Sequence, residues 1–156
     1  MSDISELRST FKPRNPDYQQ RVRDSFERQG VMRLIGAELS RIGPGEVDIQ
    51  IAYTDQLSQQ HGFFHGGILS TIADSACGYA AFSLMPADAA VLTIEFKTNF
   101  LAPADGELLI ARGRIVKPGR TISVSHAQVL VTKNGQERLC ATMTATNMTI
   151  YDKVKE

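Results

Sequence analysis

Val47, Ile49 and Ile51 alternate with Asp48, Gln50 and Ala52, the period-two pattern of a half-buried strand. Gly43-Pro44-Gly45 sets a turn ahead of it, and a mixed pattern from Val31 to Ser40 predicts a preceding strand. Further upstream, Tyr18, Val22 and Phe26 recur at four-residue spacing behind Asn15-Pro16-Asp17. That triplet offers a cap, a proline for the first turn and a carboxylate at the positive end of the dipole, so a short helix is predicted there, ending at Gln29-Gly30. Residues 1–14 lack periodicity and are expected to form a loose arm. A loop covers residues 54–65, a long helix runs from Gly66 to about Leu84, and Pro86 to Ala90 is a linker.

Four strands with clear punctuation follow: Val91 to Leu101 before Pro103, Glu107 to Val116 before Pro118-Gly119, Arg120 to Thr132, and Glu137 to Ile150. Asn134-Gly135 between the last two is a strong hairpin dipeptide. These strands are expected to form an antiparallel meander, and Tyr151 to Glu156 a frayed charged tail. One long helix among five or six strands must bury itself against the sheet, which makes the chain an α+β domain spanning residues 15–150.

The long helix is unusual. Between Gly66 and Leu84 every residue is apolar, small or hydroxyl-bearing except Asp74. A helix apolar nearly all round is buried nearly all round. Gly66 and Gly67 stand at its start, where glycine costs less than the roughly 1 kcal/mol of an interior position. They leave the first N–H groups, which have no partner within the helix, open to a ligand oxygen at the positive end of the dipole. Asp74 costs several kcal/mol if buried without a partner. It is either a carboxylate satisfied by a neighbouring hydroxyl or amide, or a group put to use.

Composition narrows the partners. The 156 residues are 42% hydrophobic, enough for one core, and seventeen basic residues balance seventeen acidic ones. Zero net charge gives no electrostatic reason to expect nucleic acid or an anionic membrane. Asp74 and the many small residues make the Gly66–Leu84 stretch a poor membrane span. Cys77 and Cys140 have neither metal-ligand nor Cys-x-x-Cys spacing, and MSDISELRSTFK lacks a secretory pattern, so a cytoplasmic location is expected.

His65-Gly66-Gly67, then Asp74 and small residues through Ala80, with Gly62 upstream, resembles the hotdog-fold thioesterases of the phenylacetate-pathway (PaaI-like) type. The strand from Thr93 to Pro103 and the turn Val116-Lys-Pro-Gly-Arg-Thr121 are similar to that family's, so the likeness covers roughly residues 45–149. It implies an antiparallel sheet around a central helix, subunits joined edge to edge, dimers that often pair into tetramers, an acyl-coenzyme A thioester substrate and no metal or other cofactor. By the same likeness Gly66 and Gly67 supply a backbone oxyanion hole, and Asp74 is the nucleophile or the base that activates water. Thr93 falls near the attacking water. Where the family usually has asparagine, six residues before the histidine, this chain has Gln59, followed by Gln60; either is a candidate to orient water or substrate. Gly62 and His65, in the same loop, are substrate-binding candidates, and His65 also suits a structural role that positions the loop by hydrogen bonds. Coenzyme A carries phosphates, for which Lys117 and Arg120 beside Pro118-Gly119 are candidates, though both also suit solvated turn positions.

Gly66 and Asp74 are eight residues apart, about 12 Å along a helix, whereas an attacker must sit about 3–3.5 Å from the carbonyl carbon. If both serve one substrate they come from two chains, and the enzyme is at least a dimer.

Other chemistry has less support. His61 and His65 lie in a loop without an obvious third metal ligand. Ser70, Ser75 and Ser83 lack a Gly-x-Ser-x-Gly elbow. A hotdog hydratase needs a catalytic histidine paired with an acid, a pattern missing around His61 and His65. A non-catalytic acyl-CoA sensor carries a DNA-binding module ahead of the fold, and too few residues precede the first strand here.

Overall fold

The computed structural model describes residues 11–151. The elements are α1 (Tyr18–Arg28), α2 (Gly30–Ile35), β1 (Ala37–Gly43), β2 (Glu46–Ala52), α3 (Gly66–Phe82), β3 (Ala90–Phe100), β4 (Leu108–Lys117), β5 (Ile122–Lys133) and β6 (Gln136–Ile150). The six strands form one antiparallel sheet in the order β1-β2-β4-β5-β6-β3. α3 lies across one face and packs on β2 through β6. This is the hotdog architecture: a long apolar helix with a curved sheet around it.

Small residues set the depth of that wrap. Ala73, Ala76, Cys77 and Ala80 on α3 are buried, as are Ala111, Ala127 and Ala145 on the facing strands. Gly113 on β4 sits directly beneath α3, where a Cβ would fall 2.3 Å from the carbonyl oxygen of Ala76. Around this seam Ile49, Ile51, Ile72, Leu109, Val129 and Met143 fill the core.

Two sequence expectations need correction. Val31 to Ile35 is helix, not strand, and only Ala37 onward is extended. Met32 is buried while Val31 and Leu34 face outward, and Gly36 closes the helix in the left-handed conformation (φ 73°). The last four strands are also not a simple meander. β4, β5 and β6 are, but β3 pairs with β6 at the far edge while β4 pairs with β2. Leaving β3, the chain is tied to β6 and the preceding loop, through Leu101 and Ala102 N–H to the Cys140 carbonyl and Phe64 N–H to the Ala104 carbonyl. A tight hairpin is thereby replaced by a crossover. The Asn134-Gly135 turn has both residues at positive φ (51° and 75°), as a type I′ hairpin requires.

α1 docks on the C-terminal half of α3. The Phe26 ring packs tilted and the Phe82 ring edge-on against Tyr79, whose hydroxyl meets Ser25 and Gln29. Of the expected N-terminal arm, residues 1–10 lie outside the described residues, while Phe11 rests against the core. Of the C-terminal tail, only Tyr151 is described, and it is exposed.

Gly113→Ala is expected to cost about 1–3 kcal/mol, because the backbone of α3 cannot yield as a side chain would. Chemical denaturation measures this; a variant as stable as the parent would show that the seam has slack.

Candidate active site

The loop before α3 is held so that it delivers His65 as the helix cap. Ser58 bridges to Phe64, His65 N–H donates to the Leu57 carbonyl, and Gln59 N–H donates to the Phe63 carbonyl. Gly62 turns the loop at φ 81°, a value side-chain-bearing residues rarely adopt. His65 takes extended dihedrals, and its Nδ1 accepts the Gly67 N–H at 2.9 Å.

This cap alters one expectation. Gly67 was expected to share the oxyanion hole with Gly66, but its N–H is given to the His65 ring. Among the described residues the Gly66 N–H has no partner, so Gly66 is the open donor at the helix start. The Phe100 ring lies over it, 3.1 Å from where a Cβ on Gly66 would stand. A cavity of about 480 Å³ opens at the same place, lined by Gln59, Phe63, Gly66, Leu69, Phe100 and Pro103 among others. Gln59 lines it, with its Oε1 accepting from His61 N–H, whereas Gln60 is exposed on the loop.

Asp74 lies two turns further along the same unbroken helix. It is half-buried, and its Oδ1 accepts the Thr93 hydroxyl at 2.8 Å. Burial raises the Asp74 carboxyl above its ordinary range, and the Thr93 hydrogen bond partly offsets this. Cys77, one turn on, is fully buried and its thiol is pushed far upward by burial and by Asp74, so it stays protonated.

Thr93 can face Asp74 because of a bulge in β3. Thr93 pairs with Asn147 and Glu95 with Thr146, leaving Ile94 as the extra residue. The bulge resets the alternation, so Thr93 before it and Phe96, Thr98 and Phe100 after it all share the side occupied by Asn147, Ala145, Met143 and Ala141. One strand thus serves both the carboxylate and the helix start.

Lys117 and Arg120 do not line the cavity at Gly66. Lys117 is exposed at the end of β4, and Arg120 borders a smaller cavity of about 170 Å³ near the C-terminal end of α3, with Lys12 and Arg14. His126 sits mid-strand on β5, half-buried, with its ring pKa lowered by burial. Among the described residues no three His, Cys, Asp or Glu side chains cluster as metal ligands, and no helix is long and apolar enough to cross a membrane.

Sequence reasoning missed Phe63, Phe100 and Asn147. The two phenylalanines carry no signal apart from neighbouring a glycine-rich helix start. Asn147 does carry one: it interrupts the inward series Ala141, Met143, Ala145 on β6 with an amide.

Residues 61–140, half of the chain, match the family model described as the thioesterase superfamily. A solved thioesterase family protein from Silicibacter pomeroyi is 55% identical, with a TM-score of 0.85 over 86% of this chain and 99% of that one. The Escherichia coli PaaI protein from the phenylacetic acid degradation operon shares the fold, with a TM-score of 0.77 at 21% identity, over 86% of this chain and 94% of that one. The 1,4-dihydroxy-2-naphthoyl-CoA hydrolase of Listeria monocytogenes is 25% identical over 111 residues, 71% of this chain and 89% of that enzyme. With its fold, its histidine-capped helix that opens on two glycines and the match across that helix, this chain belongs to the thioesterase superfamily, as a hotdog-fold hydrolase of thioesters.

Proposed function

We propose that the chain hydrolyses acyl-coenzyme A thioesters, with each active site assembled from two copies of the subunit. The observation that carries this reading is the continuity of α3. An open N–H at Gly66 and a half-buried carboxylate at Asp74 lie on one rigid helix, about 12 Å apart along its axis. Gly66 of one subunit holds the thioester oxygen, and Asp74 of the other activates water against the carbonyl carbon. The raised carboxyl makes Asp74 a stronger base than an exposed aspartate. The thiolate of coenzyme A leaves, and the Gly66 N–H and the dipole of α3 meet the charge that develops on oxygen.

The second copy has a place to bind. β3 is an edge strand of eleven residues, paired among the described residues to β6 alone. It exposes Leu92, Ile94, Phe96 and Phe100, with Ile94 54% exposed. A long apolar edge of this kind invites pairing with another chain. Because Thr93 lies on the same strand, a partner seated there stands beside the Thr93–Asp74 pair. The acyl group is assigned to the apolar cavity beside Gly66. The coenzyme A thioester named as the substrate of the Listeria relative supports this substrate class. Such dimers pair further into tetramers in the arrangement the family resemblance implies.

Incubation with a panel of acyl-CoA thioesters, followed by mass-spectrometric detection of free coenzyme A, tests the reaction. An intact thioester throughout the panel would overturn it. Gly66→Pro removes the N–H at a helix position where proline is well tolerated, and His65 already has the extended dihedrals a following proline requires. A loss of roughly 100- to 1,000-fold in kcat is expected, as for other oxyanion donors. Gly66→Ala keeps the N–H and controls for crowding against Phe100; equal losses in both variants would remove the donor from the mechanism.

Asp74→Asn is expected to abolish turnover and to be at least as stable as the parent near neutral pH. A carboxyl raised in the fold penalises the folded state once ionised. That penalty is absent below the ordinary carboxylate range and grows as pH rises through the raised value. Thermal melts at about pH 4 and about pH 7 should therefore show the parent losing ground to Asp74→Asn as pH rises. Parallel curves would contradict the raised carboxyl, and full turnover in Asp74→Asn would remove it from catalysis.

A further inference from the structure

Behind Thr93, away from the cavity, the hydrogen bonding continues into the sheet. Asn147 on β6 stands directly across from Thr93 in the ladder and is fully buried. Its Nδ2 donates to Thr93 Oγ1 at 3.3 Å. Ser125 on β5, also fully buried, donates its hydroxyl to Asn147 Oδ1 at 3.0 Å. The inward residues that precede Asn147 along β6 are Ala141, Met143 and Ala145, and the buried Thr149 follows it. An apolar side chain would continue that series, and a buried amide is costly unless hydrogen-bonded. Sheet packing therefore gives no reason for an amide at this place.

Donor and acceptor capacities supply one. A threonine hydroxyl has a single proton, and an asparagine Nδ2 can only donate. With Nδ2 bonded to the acceptor side of Thr93 Oγ1, the Thr93 proton is left for Asp74 Oδ1. Were the amide turned over, its Oδ1 would compete with Asp74 for that same proton. Ser125 opposes this, because its own proton satisfies Asn147 Oδ1. The series Ser125→Asn147→Thr93→Asp74 runs in one direction and ends on one carboxylate oxygen, and among the described residues Asp74 Oδ2 has no partner.

We propose that Asn147 is a positioning residue for the hydrolytic reaction, acting through Thr93 to hold Asp74 ionised and oriented with Oδ2 free for water. The inference rests on the assignment of Asp74 as the base. Without Asn147, the Thr93 hydroxyl is free to turn away from Asp74. Asn147 removes that freedom from the buried side of the sheet without touching substrate. Few other groups bear on the carboxylate's titration. From α3 itself the titratable neighbour is Cys77, which stays protonated, and from β3 the facing polar group is Thr93.

The test is the pH dependence of kcat/KM for wild type, Thr93→Val, Asn147→Leu and the double variant, with an acyl-CoA that the wild type cleaves. Asn147→Leu is expected to move the acidic limb to higher pH, in the same direction as Thr93→Val. A loss of about tenfold in kcat/KM below neutrality is expected, the scale of a weakened hydrogen bond to a charged group, with KM little changed. Because Asn147 acts through Thr93, the double variant should be no worse than Thr93→Val alone. An acidic limb left at its wild-type position, or losses that multiply in the double variant, would overturn the inference. Should Asn147→Leu fail to fold by circular dichroism, Ser125→Ala frees the amide to turn over and is expected to shift the limb in the same direction by less; no shift there is equally contrary. Activity in Asp74→Asn separates the two levels. An inactive Asp74→Asn with an unmoved limb in Asn147→Leu defeats only the positioning role, whereas an active Asp74→Asn defeats the base on which it rests.

Discussion

An α-helix cannot be folded back on itself, and in this chain the distance between Gly66 and Asp74 follows from that rigidity. Both lie within one uninterrupted helix whose flank of alanines is clamped by strands close enough to exclude a Cβ at Gly113. The helix cannot bend to bring its start to its middle, because the sheet holds it along most of its length. On the proposed reading, the donor and the carboxylate that meet one substrate therefore come from two copies. The close packing that makes the subunit stable is the same feature that keeps Gly66 and Asp74 apart within it.

β3 carries the other half of this arrangement. A single extra residue at Ile94 turns Thr93 toward Asp74 and also keeps Phe100 over Gly66. The same strand leaves its apolar side chains at the edge of the sheet, where a monomer gains nothing from them. The partner of Asp74, a cavity wall and the proposed subunit contact thus share eleven residues. Mutations on this strand should rarely affect only one property.

Much of the fold was legible because strong local signals agreed with the tertiary outcome. Turn residues at Gly43-Pro44-Gly45, Pro118-Gly119 and Asn134-Gly135 fixed the strand ends, and the all-round apolar run fixed α3 as a buried helix. Val31 to Ile35 does not show as helix in the sequence because six residues offer too few turns for a period to appear, and only Met32 among them is buried. The place of β3 in the sheet was not legible because strand order depends on where the crossover from residue 101 to residue 107 goes, and no local pattern encodes that. At the site, Asp74 stood out as the lone charge in an apolar helix. Gly67 was expected as a donor because spacing cannot reveal that the His65 ring turns back to claim its N–H. Asn147 is marked only by falling in register with Ala141, Met143 and Ala145, and its partners Thr93 and Ser125 lie on strands whose pairing no local pattern encodes.

The shared site is tested most directly by mixing two inactive chains. Gly66→Pro lacks the oxyanion donor but keeps Asp74, and Asp74→Asn lacks the base but keeps the Gly66 N–H. A mixed dimer of the two contains one site with both defects and one with neither. Co-expression with different affinity tags, and purification of species carrying both, gives the sample. With random pairing of equal amounts, roughly a quarter of wild-type turnover should return to the unfractionated mixture, and more to the doubly tagged fraction. A doubly tagged dimer as inactive as its parents would contradict a site built from two chains.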